Sequence, residues 1–220
     1  MISAKDLGSI AADRVYQWRE HARNLFRSRV ATGYQDGALD PVLLIPGVYE
    51  TWQFLRPVAD RLYALGHPIH VVPELGYNRR TVTESAELAQ RYLEVCDLRS
   101  VILVTHSKGG LIGKHMMVTD DHQGRIARLV AINTPFGGSI LARYAPNATL
   151  RAFSPADETL VSLAANLAAN DRIVSIYSRL DPLIPDGSRL EGATNIELSM
   201  VGHFRPLASR RLFEAVEESI

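Results

Sequence analysis

The chain has 220 residues, 46% hydrophobic and 22% charged, with Lys+Arg and Asp+Glu balanced at 24 each. That length supports one well-packed core and is short for two domains, and zero net charge gives no field favouring nucleic acid or an anionic membrane. A lone cysteine, Cys96, excludes an intramolecular disulfide and a cysteine metal cage.

No apolar run reaches the roughly 18 to 20 residues of a membrane span, and Met1 to Asp6 lacks a signal-peptide pattern. The expectation is a cytoplasmic protein with no stable membrane insertion. From Ser9 to about Arg29, Val15, Trp18, Ala22 and Leu25 recur at helical spacing while Arg14, Arg19, Arg23 and Arg27 fall mainly elsewhere. This predicts an N-terminal helical extension within residues 1–40, its apolar stripe packed on the body and its arginines in water. The alternative for such a basic amphipathic helix is a membrane surface or a partner.

Strands and helices then alternate. Val42 to Ile45 is an apolar run closed by Pro46-Gly47, hence a buried strand and a turn. Phe54 to Leu65 has helical spacing and stops at Gly66. Ile69 to Val72 is a second strand, and Thr83 opens a helix running to Val95. Val101 to Thr105 is a third strand, with a helix from Gly109 to Val118. Further strands fall at Arg128–Ile132, Arg172–Tyr177 and Asn195–Leu198, with helices at Asp157–Ala169 and from about Leu207 to Glu218. The alternation predicts an α/β fold, a mostly parallel sheet of about six strands with helices on both faces and no large cap. No repeat or linker interrupts it, so one domain over 1–220 is expected.

In such a sheet, reactive groups collect where loops leave the carboxyl ends of the strands. Ser107 follows the third strand in Thr105-His106-Ser107-Lys108-Gly109, a G-x-S-x-G-like strand-to-helix turn that thrusts a hydroxyl clear of the backbone. Asp181 follows the fifth strand and His203 the sixth, giving the chain order Ser, Asp, His. A serine hydroxyl is a poor nucleophile until a base takes its proton. Imidazole suits that task at neutral pH, and a carboxylate behind it fixes the tautomer. The developing oxyanion needs N–H donors, for which the backbone N–H groups of Lys108 and of Val48, in the turn after the first strand, are the candidates. Asp186 is a nearby rival for the acid, with Asp157 and Asp171 more distant ones.

Elbow, Leu44-Ile45-Pro46-Gly47-Val48 turn, Asp181 with its proline four residues on, and Gly202-His203 together resemble the α/β-hydrolase superfamily, particularly small bacterial lipases and esterases. The resemblance runs from about Val42 to the end of the chain, and Thr134-Pro135-Phe136-Gly137-Gly138-Ser139 looks like the T-P-x-x-G-S segment of lipase-like members. Two departures stand out: Thr105 replaces the first elbow glycine, and Pro46-Gly47 replaces a His-Gly pair.

The resemblance implies a carboxylic ester hydrolase with catalytic Ser107, Asp181 and His203, acting on a small-molecule ester or lipid through an acyl-enzyme, with no cofactor and no metal. Tyr49, Trp52 and Phe136 are the expected substrate contacts; Tyr49, Trp52 and Phe54, which follow the turn, either line the acyl entrance or are core aromatics. His106 is read as structural, Lys108 as pointing its ammonium to solvent, and His67 and His70 as no metal site. The segment Pro135 to Asn170, with an Ala- and Leu-rich helix, either covers the site or completes the core. Open alternatives are a thioesterase, amidase or acyltransferase on the same residues, a binding protein on a hydrolase scaffold, and an interaction protein docking through its N-terminal helix. Oligomeric state is not legible.

Overall fold

The computed structural model of the chain describes residues 3–25 and 30–220. Strands β1 (Val42–Ile45), β2 (Ile69–Val71), β3 (Val101–His106), β4 (Ile126–Ile132), β5 (Ile173–Leu180) and β6 (Thr194–Val201) form an all-parallel sheet, ordered β2-β1-β3-β4-β5-β6. The six expected strands are all present, several of them longer than their apolar runs. Helices α1 (Ala4–Asn24), α2 (Arg56–Ala64), α3 (Val82–Val95), α4 (Lys108–His115), α5 (Ala148–Arg151), α6 (Glu158–Ala165) and α7 (Arg210–Glu217) surround it.

Period-two alternation sorts the strand side chains into two cores. Leu43, Ile45, Leu103, Leu129 and Ala131 face one layer with Ala86, Ala89 and Leu93 of α3, Leu111 and Ile112 of α4, and Leu160 and Leu163 of α6. Val42, Leu44, Ile102, Val104, Val130 and Ile132 face the other, with Val58, Ala59 and Leu62 of α2 and Leu212 and Val216 of α7. Both faces of the central strands are therefore dry, which is why they read as unbroken apolar runs rather than as alternating ones. The helix 82–95 is capped by Thr81 rather than Thr83, because Thr81 and Glu84 form a reciprocal capping box.

The N-terminal helix departs from expectation. It starts at Ala4, with Ser3 as its cap. Its expected continuation through 26–29, Arg27 included, lies outside the described residues. Its apolar stripe does not pack: Val15 is 58% exposed, Trp18 76% and Leu25 61%. The polar face turns inward instead, with Asp13 fully buried and accepting hydrogen bonds from the N–H groups of Phe204 (2.8 Å) and Arg205 (2.7 Å). Asp6 pairs with Arg179 at 2.6 Å. Satisfying two main-chain donors at a loop outweighed the apolar pattern.

From β1 the chain runs outward to β2, then returns past β1 to β3 on its other side. The connections thus diverge between β1 and β3, opening a crevice at their carboxyl ends. That crevice holds the Pro46–Val48 turn and Ser107.

Candidate active site

Ser107 sits between β3 and α4 at φ 52°, ψ −120°, a left-handed conformation that costs a non-glycine residue on the order of 1–3 kcal/mol. Close packing holds it there. A Cβ on Gly109 would stand 2.1 Å from the carbonyl oxygen of Ile45, so α4 can approach β1 only with glycine at that position. Thr105, the departure from the elbow pattern, is accommodated: it is fully buried and its hydroxyl donates to Val130 O at 3.4 Å.

Ser107 and His203 open onto one cavity of about 310 Å³, together with Val48 and Tyr49. His203 Nδ1–H donates to Asp181 Oδ2 at 2.6 Å, leaving Nε2 as the basic nitrogen. The other Asp181 oxygen accepts from Leu183 N–H at 2.8 Å and Ile184 N–H at 3.3 Å. Among the described residues no hydrogen bond within 3.5 Å joins Ser107 Oγ to His203. Such bonds are commonly long without substrate and tighten on binding. Burial would raise the Asp181 pKa, but the charge and hydrogen bond of His203 and the Leu183 N–H bring it below the ordinary value. Burial would lower that of His203, and the charge and hydrogen bond of Asp181 reverse this to a net rise.

The rival acids are engaged elsewhere. Asp186 accepts from Ile140 N–H at 2.9 Å, Asp157 caps α6 through Thr159 and Leu160, and Asp171 is exposed. The Val48 and Lys108 N–H groups have no acceptor among the described residues, as oxyanion donors require.

Of the expected substrate contacts, Tyr49 lines the cavity. Trp52 and Phe136 do not. Trp52 packs edge-on against Tyr34 at 5.9 Å, beside the core under α2 and α7, and Phe136 is 4% exposed within the core under α3, α4 and α6. The apolar wall comes instead from Leu141, Ala142, Leu150 and Phe153, with Leu183 and Ile184 opposite. The first four belong to a short 3₁₀ helix (Ile140–Tyr144), to α5 and to the residues after it. The Leu-rich helix α6 completes the core, with Leu160 and Leu163 buried.

Lys108 also corrects its expectation. Its side chain is 2% exposed, and Nζ donates to Asn78 O (3.0 Å), Asn78 Oδ1 (3.1 Å) and Arg80 O. Burial pushes its pKa down to about 8, with Glu84 opposing. Asn78 Nδ2 in turn donates to Pro46 O at 2.7 Å, so Lys108 braces the oxyanion turn through one intermediary. Replacing Lys108 with Met removes the donor to Asn78 O and Arg80 O and leaves Asn78 Oδ1 only the Ser85 hydroxyl. The expected loss is about 2 kcal/mol in unfolding free energy by urea titration, and an unchanged midpoint would refute the brace.

Behind the catalytic candidates lies a second histidine–carboxylate pair that the sequence reading did not assemble. Both Glu50 oxygens lie 2.9 Å from His106 Nδ1, and Oε2 also accepts from Gly47 N–H at 3.0 Å. His106 Nε2 donates to the His203 carbonyl at 3.0 Å, an oxygen that Asn133 Nδ2 also reaches at 2.9 Å. With one ring nitrogen held by Glu50 and the other by the His203 carbonyl, His106 positions His203 and cannot replace it. The ligating atoms of Glu50, His106 and His203 lie within 4.8 Å of one another, but hydrogen bonds already occupy Glu50 and His106. The one signal for Glu50 in the sequence is an acidic residue within the apolar and aromatic stretch Val48-Tyr49-Glu50-Thr51-Trp52. His67 and His70 bond separately, to Asp40 O and to Tyr92 Oη.

No protein-family model matches the chain, and no curated protein matches its sequence. Solved structures match in shape. The mature lipase BlEst2 of Bacillus licheniformis gives a TM-score of 0.66 at 14% identity, over 86% of this chain and 94% of that one. An extracellular α/β-hydrolase from a Paenibacillus species gives 0.58 at 18% identity, over 82% and 99%. N-Formylmaleamic acid deformylase from Pseudomonas putida S16 gives 0.58 at 19% identity, over 82% and 93%. At these identities the likeness is one of fold. No helix among the described residues is long and apolar enough to cross a membrane.

Proposed function

We propose that this chain, which has the α/β-hydrolase fold, is a serine hydrolase of carboxylic esters with apolar acyl groups. The observation that carries the reading is the 2.6 Å His203–Asp181 hydrogen bond beside Ser107, on a cavity with apolar walls. Ser107 Oγ attacks the ester carbonyl carbon and its proton passes to His203 Nε2. The oxyanion forms against the N–H groups of Val48 and Lys108, each such donor contributing roughly 3–4 kcal/mol of transition-state stabilisation. The C–O bond then breaks, the leaving alcohol takes the proton from His203, and an acyl-Ser107 remains. Water, deprotonated by His203, releases the acid and restores the serine. Asp181 holds the imidazole in the required tautomer and stabilises its cation.

The acyl chain lies along Leu141, Leu150, Phe153 and Leu183, which supports medium chains over acetate. The test joins fluorophosphonate labelling with a p-nitrophenyl ester series from acetate to palmitate. Labelling at Ser107 and a medium-chain optimum are expected. A folded protein that labels but cleaves only thioesters or amides would move the assignment to those substrates. One that neither labels nor turns over any of them would refute the enzyme.

A further inference from the structure

The exposed stripe of α1 has no cover among the described residues, and its surroundings are unusual in charge. Leu7, Val15, Trp18, Ala22 and Leu25 fall on one side of the helix, with Trp18 76% and Leu7 60% exposed. All three acidic residues of α1 point away from that side: Asp6 and Asp13 are buried, and Glu20 is largely covered and paired with Arg23 at 2.9 Å. Lys5, Arg19 and Arg23 are exposed, so the outward surface of the helix is apolar and cationic only.

This face adjoins the cavity. Arg14 and Gln17, on the next strip of the same helix, line it. Across the mouth, Leu141 lines the cavity while remaining 44% exposed, and Ile140 and Tyr144 beside it are 43% and 74% exposed. The Arg143 guanidinium stacks over the Tyr144 ring at 4.8 Å. Two apolar patches thus flank one opening, the α1 patch bordered by cations alone and the second by both Arg143 and the exposed Asp186, so the α1 side carries the charge argument. Contiguous exposed apolar surface of this kind marks an interaction site, and an apolar helix face bordered by Lys and Arg, with a tryptophan in it, suits the boundary of an anionic lipid layer.

We propose that the mouth of the cavity docks on a lipid surface bearing anionic headgroups. Trp18, Val15 and Leu7 enter the acyl boundary, Arg19 and Arg23 meet the headgroups, and Leu141 and Tyr144 form the second contact. The arrangement would let an apolar ester pass from the layer into the cavity without crossing water. Binding is read by partitioning rather than turnover, and Ser107→Ala is run beside the parent so that cleavage of the vesicle lipids, themselves esters, plays no part; this docking and the ester-hydrolase reading therefore fail separately.

The experiment mixes the full chain with vesicles of phosphatidylcholine alone, or with about one-third phosphatidylglycerol. Trp18 is one of only two tryptophans and reports directly. A blue shift of its emission and co-sedimentation are expected with anionic vesicles only, both reversed by high salt. Trp18→Ser abolishes binding and Arg19→Gln weakens partitioning about fivefold, while both variants cleave soluble p-nitrophenyl acetate like the parent. Absent binding, equal binding to neutral vesicles, or full binding by Trp18→Ser would overturn the proposal. So would self-association that shields Trp18 without lipid, which would give the face to a second copy of the chain.

Discussion

Ser107→Ala is expected to lower kcat/KM on the best p-nitrophenyl ester by about a millionfold, and His203→Ala by nearly as much, with the double variant no worse than either. Non-additivity is the informative part. Attack and proton removal are one event, so once the hydroxyl is gone the imidazole has nothing to deprotonate. A double variant markedly worse than both singles would mean the two act independently, and the mechanism would fail. Asp181→Asn is expected to cost roughly ten-thousandfold, because an amide does not select the tautomer that leaves Nε2 free.

The pH profile follows from the same contacts. Catalysis needs neutral His203, and Asp181 holds its pKa above the ordinary 6.5. The acid limb of kcat/KM is therefore expected above 6.5, and in Asp181→Asn it moves down as the opposing burial takes over. Stability runs the other way on that side. The contribution of His203 is full below 6.5 and is lost as pH rises through its raised folded value. That of Asp181 is present above 3.8 and is lost as pH falls through its lowered folded value. The pair supports the fold most across the interval between, whereas turnover is fastest only above it, once His203 is neutral.

The second large effect is on the buried network. Glu50→Ala is expected to cost at least about 2 kcal/mol of unfolding free energy, because two buried groups, the His106 ring and the Gly47 N–H, lose their partner at roughly 1–3 kcal/mol apiece. Glu50 is 2% exposed and His106 fully buried, so water cannot replace the lost carboxylate without opening the core. Gly47 N–H loses its acceptor at the same stroke, which loosens the oxyanion turn and lowers kcat as well as stability. Replacing the pair together, Glu50→Leu with His106→Phe, is expected to recover much of the stability but not the rate, because apolar groups satisfy packing but do not hold the His203 carbonyl. Urea titration of both variants beside ester turnover checks both halves. A loss below about 1 kcal/mol in Glu50→Ala would refute the stabilising role of these buried contacts.

What was legible in the sequence follows local rules. The central strands could be read because a parallel sheet dry on both faces forces unbroken apolar runs, and Ser107 because it follows one; Asp181 and His203 follow β5 and β6, where polar residues interrupt the apolar ones, and were legible from the chain order Ser, Asp, His. Glu50, Asn133 and Asp13 could not, since each acts on a residue far along the chain: Asp13 reaches 191 residues to Phe204. Trp52 and Phe136 were misplaced because an aromatic beside a reactive loop looks the same whether it turns toward the crevice or the core. Lys108 was assigned to solvent on its charge, yet three carbonyls converge on it. The stripe of α1 was given to the core because periodicity reports that a helix has two faces without saying which one the protein keeps.

That last inversion bears on how firmly each part of the chain is held. Helix α1 is fastened largely by polar contacts, through Asp6 and Asp13, with little apolar surface sealed beneath it. An element so attached belongs at the low end of the local-unfolding spectrum, separating long before the sheet does. Yet the two N–H groups it satisfies follow His203 directly. When the helix lifts, the loop carrying the base loses its outer latch while the rest of the molecule stays native. Under the proposed mechanism, activity would then be governed by a partial opening rather than by global melting, and whatever presses α1 back onto the body would also preserve the His203 loop.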